Sequence, residues 1–267
     1  MTRIYLTGRI AAEQDGRLCL DERDLHGRQG RLAFVYLMAH RHRPARRDEL
    51  VDVLWSGSPP REFEVAFSAV LSRLRALFRN GLRSGAIAAE HGTITVRLPS
   101  NVWIDIEAAL NATDLCEGAR RRDDRAAAWS HANVAVAIAR RPFLPDEEAP
   151  WITAWRTKLD AILVRGLSAL MTISALNNEL AVAIQYAEEI LAIEPYRETV
   201  YQELMRLHAN MGNRAEALRV LTRCRERLRD ELGITPSPQT ENTWLAIAAG
   251  TTSTKGTTGT TGTSRTN

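Results

Sequence analysis

The chain has 267 residues, 45% hydrophobic and 25% charged, with a formal net charge of +3. That is enough to bury a core in each of two domains, in the proportions of an ordinary globular protein. There is no uninterrupted run of about 18 apolar residues, and MTRIYLTGRI lacks the charged region and apolar core of a secretion signal, so neither a membrane span nor export is expected. Cys19, Cys116 and Cys224 are odd in number and far apart, which predicts free thiols in a reducing, cytoplasmic compartment. Charge is unevenly placed. Residues 1–100 hold 16 Arg, no Lys and 11 acidic residues, whereas residues 101–267 hold 19 basic and 21 acidic ones. A modestly basic N-terminal half suits a polyanionic partner.

In chain order, Arg3 to Leu20 contains two short alternating runs separated by Asp15-Gly16, which predicts a small antiparallel sheet. Gly30 to His42 reads as a helix with Leu32, Phe34, Val35, Leu37 and Met38 mostly buried, ended by Pro44. Arg47 to Trp55 reads as a second, short helix with Leu50, Val53 and Leu54 inward. Ser56 to Pro60 is a connecting loop. Arg61 to Asn80 then reads as one helix of about five turns. Its Phe63, Phe67, Val70, Leu71, Leu74, Leu77 and Phe78 form an apolar stripe. The opposite face carries Ser68, Ala69, Ser72, Arg73, Ala76 and Arg79, with Arg75 at its edge. Small hydroxyls permit close approach and arginines hold anions, so the helix is suited to a DNA major groove. The plainer reading is an amphipathic surface helix. Ala86 to Leu98 reads as two β runs about His91-Gly92.

The segments RDELVDVLWSGSPP, VLSRLRALF and HGTITVRL, with Asp105 following, resemble the winged helix-turn-helix of OmpR-type response regulators and of the Streptomyces antibiotic regulatory protein family. The resemblance implies that the third helix enters the major groove and that the wing tip reaches a minor groove or phosphates. Ser68, Ser72, Arg73, Arg75 and Arg79 then fall at base or phosphate positions, with Ser72 and Arg75 expected near bases and Arg73 near phosphate. Arg43, Arg46 and Arg47 lie in a basic run expected to contact the DNA backbone without reading sequence, and His91 falls at the wing tip. Two departures stand out. Glu62 and Glu64 open the third helix, where they suit its dipole but repel phosphate, and the wing lacks the usual Gly-Tyr pair.

Trp103 to Ile106 opens the second half. Glu107 to Ala139 predicts two helices with a charged break over 119–125, and a long helix follows from Ala149 to about Leu176. Trp151 and Trp155 share one face of it, either as core or as a partner surface. A repeat follows: Ala183 and Ala217 are 34 residues apart, the tetratricopeptide spacing, with small residues where paired helices pack closely. RPFLPDEEAPW, LAIEPYRETVYQELM and GNRAEALRVLTRCRERLRDELGITPSPQT resemble, in order, the bacterial transcriptional activation domain. The fold class expected is therefore mainly α with a small β component. A winged helix-turn-helix domain (1–103) precedes a helical tetratricopeptide-like activation domain (104–249) and a disordered, low-complexity tail (250–267).

No catalytic constellation, P-loop or dinucleotide fingerprint occurs, and no histidine or cysteine grouping has metal-ligand spacing. Neither enzyme activity, cofactor nor metal is expected. What the resemblance implies is a sequence-specific transcriptional activator. Its expected partners are double-stranded DNA and, through Ser56 to Pro60, RNA polymerase, and the chain is expected to form a homodimer. A helical-repeat adaptor whose winged helix contacts protein is the alternative.

Overall fold

A computed structural model describes residues 1–82 and 85–250; the expected tail, Gly250 apart, lies outside the described residues. The chain is mostly helical with two small sheets. It divides into two compact units, Met1–Ala169 and Leu170–Asn267.

In the first unit, β1 (Thr2–Tyr5), β2 (Ala11–Gln14) and β3 (Arg17–Asp21) form the expected antiparallel meander. Asp15 and Gly16 both have positive φ, at 51° and 78°, as a two-residue hairpin turn of this hand requires. Helix α1 (Arg28–Ala39) is buried continuously from Leu32 to Met38, which explains its apolar character all round. Gly30 is required there: a Cβ would lie 1.8 Å from the Leu25 carbonyl oxygen. A short strand, β4 (Ala45–Arg46), leads into α2 (Arg47–Trp55). Helix α3 (Phe63–Asn80) starts two residues later than expected, because the chain first turns, with Phe63 N donating to Pro60 O at 3.0 Å. Its stripe is buried at Phe67, Val70, Leu71, Leu74 and Phe78, and Phe78 meets Phe34 of α1 edge-on at 6.4 Å. The wing is β5 (Ala86–Glu90) and β6 (Thr93–Arg97), with β4 paired antiparallel to the other edge of β6. The strand-rich N-terminal region fits a winged helix.

Strand β7 (Trp103–Ile104) runs parallel to β1 and completes the first sheet. Two residues are too few for an alternating pattern, so neither β4 nor β7 was legible as a strand. Asp105, 0% exposed, opens α4 (Asp105–Arg121). Its carboxylate accepts from Leu6 N and Thr7 N at 2.9 Å and from Thr7 Oγ1 and Ile106 N at 2.8 Å. Burial pushes this carboxyl up against those donors. Helix α5 (Arg125–Ala139) is capped by Asp124, which accepts from Ala127 N at 3.0 Å, so the expected charged break narrows to 122–124. Helix α6 (Pro150–Leu176) contributes residues 150–169 to this unit. Gly166 lets it approach α5, since a Cβ would sit 2.6 Å from Val136 Cγ2. An 18-residue window of α6 has a mean hydropathy of 1.6, enough in length and composition to cross a bilayer, but 56% of it is buried in the fold. Its apolarity is that of a core helix, interrupted by charged residues and so not visible as an uninterrupted apolar run.

In the second unit α7 (Leu180–Ile193), α8 (Glu198–Asn210), α9 (Arg214–Leu232) and α10 (Pro238–Ala248) pack as α7 on α8, α8 on α9, and α10 on both α8 and α9. Ala183 and Ala217 occupy equivalent places and are each 0% exposed. The ELGITPSP segment is explained by three caps. Gly233, with φ of 68°, ends α9. Ser237 and Pro238 start α10. Glu198 of α8 accepts from Ser237 N at 2.8 Å, Ser237 Oγ at 2.7 Å and Thr240 Oγ1 at 2.5 Å. Burial pushes the Glu198 carboxyl up, but these donors hold it below the ordinary carboxylate range.

Candidate nucleic-acid interface

Three pieces of the first unit meet around α3. The first is the solvent face of α3, where Ser68, Ser72, Arg73 and Arg79 are exposed. Neither Arg73 nor Arg79 has a hydrogen-bonded or ion-paired partner among the described residues. Val65 belongs to this face as well. It is 71% exposed and stands one turn before Ser68 and Ala69. Sequence reasoning passed over it because it is not in the buried stripe. That mismatch, an apolar residue off the stripe, was the available signal.

The second piece is the wing. His91 and Gly92 turn the hairpin with φ of 49° and 73°. His91 is exposed, and Gly92 carries the left-handed conformation that a β-branched or bulky residue resists. Arg75, half-buried, donates its Nε to Ile87 O of β5 at 3.3 Å, so its guanidinium is held toward the wing and away from the most exposed edge of α3.

The third is the basic run. Pairing of β4 with β6 sets Arg46 opposite Thr93, and Arg47 N donates to Gly92 O at 2.9 Å. The backbone thereby brings these arginines to the wing, which the run itself does not reveal. Each is engaged by a carboxylate: Arg43 by Glu49, Arg46 by Asp48, and Arg47 by Glu64. The Arg43 guanidinium holds the Glu49 carboxyl down to about 2. Tyr36 OH also donates to Glu49; burial and that contact push its phenol up to about 12. Arg47 and Arg75 border a groove of about 260 Å³ between α3 and the wing, which Ser68, Glu90 and Thr93 also line.

Other polar groups of this unit hold its elements together. Glu147, 5% exposed, accepts from Arg28 Nε at 2.8 Å and Arg31 Nη2 at 2.7 Å. Arg156 donates to the carbonyls of Phe143, Leu144 and Glu147. Trp151 lies 5.1 Å from the Tyr36 ring and Trp155 lies 6.2 Å from His40, so both tryptophans pack inside this unit. Their burial of His40 lowers its basicity.

Residues 104–247 match the family model for the bacterial transcriptional activator domain. The chain is 28% identical over 210 residues to regulatory protein AfsR of Streptomyces coelicolor, an alignment covering 79% of this chain and 21% of AfsR. It is 25% identical over 214 residues to transcriptional regulatory protein EmbR of Mycobacterium tuberculosis, covering 78% of this chain and 54% of EmbR. The chain therefore spans about a fifth to a half of these curated relatives. The solved structure of Mycobacterium tuberculosis EmbR in complex with a low-affinity phosphopeptide superposes with a TM-score of 0.79 at 21% identity, over 93% of this chain and 65% of that one, and shares its fold. With more than half of its length matched by the family model, the chain belongs to the bacterial transcriptional activator domain family.

Proposed function

We propose that the chain is a sequence-specific DNA-binding transcriptional regulator acting in the cytoplasm as an activator. The single observation that carries this is the solvent face of α3, on which Ser68, Ser72, Arg73 and Arg79 are exposed beside the wing turn. In this reading α3 lies in the major groove. Small hydroxyls let the helix close on base edges, Val65 meets a thymine methyl, and Arg73 reaches a base. The bond from Arg75 to Ile87 O favours a backbone-phosphate role for Arg75, exchanging the roles expected for the two arginines. Arg43, Arg46, Arg47 and Arg79 position the backbone, and His91 lies over the neighbouring groove.

Residues 1–103 are the DNA-binding module in this reading, and 104–249 are the tetratricopeptide-like activation module. The exposed loop from Ser56 to Pro60 is where RNA polymerase docks. Homodimerisation is supported by apolar side chains left exposed in the second unit, among them Met211, Leu218, Ile234 and Leu245 at 42–60%.

A helical-repeat adaptor is the second reading. The pairing of Arg43, Arg46 and Arg47 with carboxylates of the same chain favours it. Binding to duplex DNA over a salt series separates the two. A regulator with Z phosphate contacts loses affinity with a slope of about −0.9Z in log K against log salt, whereas an adaptor binds weakly at every salt concentration.

A further inference from the structure

Arg47 is held more firmly than a surface arginine needs to be. Its guanidinium stacks over the Phe67 ring at 5.1 Å, and Phe67 is 3% exposed, so the platform is rigid. Its backbone is fixed to the wing turn through Gly92 O. Its Nη2 donates to Glu64, and both side chains of that pair are partly exposed, at 41% and 56%. The groove that Arg47 borders is also lined by Arg75, Ser68 and Glu90. With two arginines against one glutamate, a groove of about 260 Å³ has the net positive lining to receive one tetrahedral anion.

We propose that this groove takes one phosphate of the DNA backbone on Arg47, and that Glu64 occupies the same guanidinium in the free protein as an internal substitute for phosphate. The proposal rests on the DNA-binding reading of α3. DNA must displace Glu64 to reach Arg47, so the carboxylate lowers affinity for every sequence equally and leaves discrimination to the base-edge contacts. It also changes the salt response. A phosphate bound to a free arginine releases one condensed cation. Here Glu64 remains beside the phosphate that displaces it, so the Arg47–Glu64 pair brings no net positive charge to the DNA and that contact adds nothing to the slope.

The experiment measures binding of the 267-residue chain to a random-sequence duplex over a salt series, for the natural chain, Glu64→Gln, Arg47→Ala and the double variant, each with a thermal melt. Glu64→Gln is expected to bind about fivefold tighter, the upper end of what an exposed ion pair contributes, with a slope steeper by about one. In the Arg47→Ala background the same change should shift affinity less than twofold, because the guanidinium that Glu64 guards is gone. Unchanged affinity and slope in a folded Glu64→Gln protein that still binds DNA would overturn the gate. So would equal tightening in both backgrounds, which would mark a general charge effect. If no variant binds at any salt, the DNA-binding reading fails and the gate fails with it. Glu64→Ala serves as the second variant should the glutamine pair with Arg47 through its amide oxygen.

Discussion

Helices α3 and α9 look alike as sequences, since both are amphipathic and rich in arginine, yet they spend their arginines differently. All six arginines of α9 have partners in the same chain. Arg219 meets Glu216 at 2.5 Å, Arg223 meets Glu188 at 3.0 Å, Arg227 meets Glu231 at 3.0 Å and Arg229 meets Asp230 at 2.8 Å. Arg225 meets Glu241, and Arg214 donates to Ile247 O. On α3, Arg73 and Arg79 have no such partner among the described residues, and Arg75 donates to a carbonyl. An arginine already paired with a carboxylate must give that partner up before it can hold an external anion, whereas an unpaired one on an exposed face is available to phosphate or guanine at once. Arginine content therefore marks neither helix as a DNA reader. Partner bookkeeping distinguishes them.

The largest expected effect probes two arginines turned toward a buried carboxylate. Replacing Glu147 with alanine leaves Arg28 without a carboxylate partner and Arg31 with Glu22 alone. Breaking a buried pair costs about 3–5 kcal/mol. Because Arg28 is 44% exposed, a loss of about 2–3 kcal/mol in chemical denaturation is expected. A loss below about 0.5 kcal/mol would show that the pair is no more than a surface contact.

Next comes the outward-facing case. Alanine at both Arg73 and Arg75 should weaken binding to the cognate DNA site at least tenfold, about 1.4 kcal/mol, with the circular dichroism melt nearly unchanged because alanine favours helix. Intact affinity in a folded double variant would remove α3 as the reading element and move the argument to the adaptor.

The mirror experiment uses α9. Arg225→Ala, which breaks the pair with Glu241, should cost at most about 1 kcal/mol of stability and leave DNA affinity within twofold. A tenfold loss of affinity would erase the distinction between the two helices.

The smallest effect is a pH dependence. Arg43 holds the Glu49 carboxyl down from 4.5 to about 2. The folded value is depressed, so this contact adds stability above pH 4.5 and loses it as pH falls toward 2. With Arg43 half-exposed, solvent screening keeps the contribution to about 1 kcal/mol. In Glu49→Gln the fall in melting temperature over that window should be shallower than in the natural chain; parallel curves would show the pair to be inert.

By itself the sequence determined the periodic elements: the meander turned by Asp15-Gly16, the buried stripe of α3, the wing turn at His91-Gly92 and the alanines 34 residues apart in α7 and α9. Each is a local matter of side-chain spacing or backbone sign, written in neighbouring residues. The tertiary structure alone decided what non-local pairing controls. Two-residue strands β4 and β7 exist only because β6 and β1 offer an edge, and β4 is what carries Arg46 and Arg47 to the wing. Arg75, read at the edge of the exposed face, bonds to a strand twelve residues later in the chain. Arg47 and Glu64 are seventeen residues apart on different helices. Spacing within one helix says nothing about charges brought together from two, so which arginines remain free for an external anion became legible only once the chain had folded.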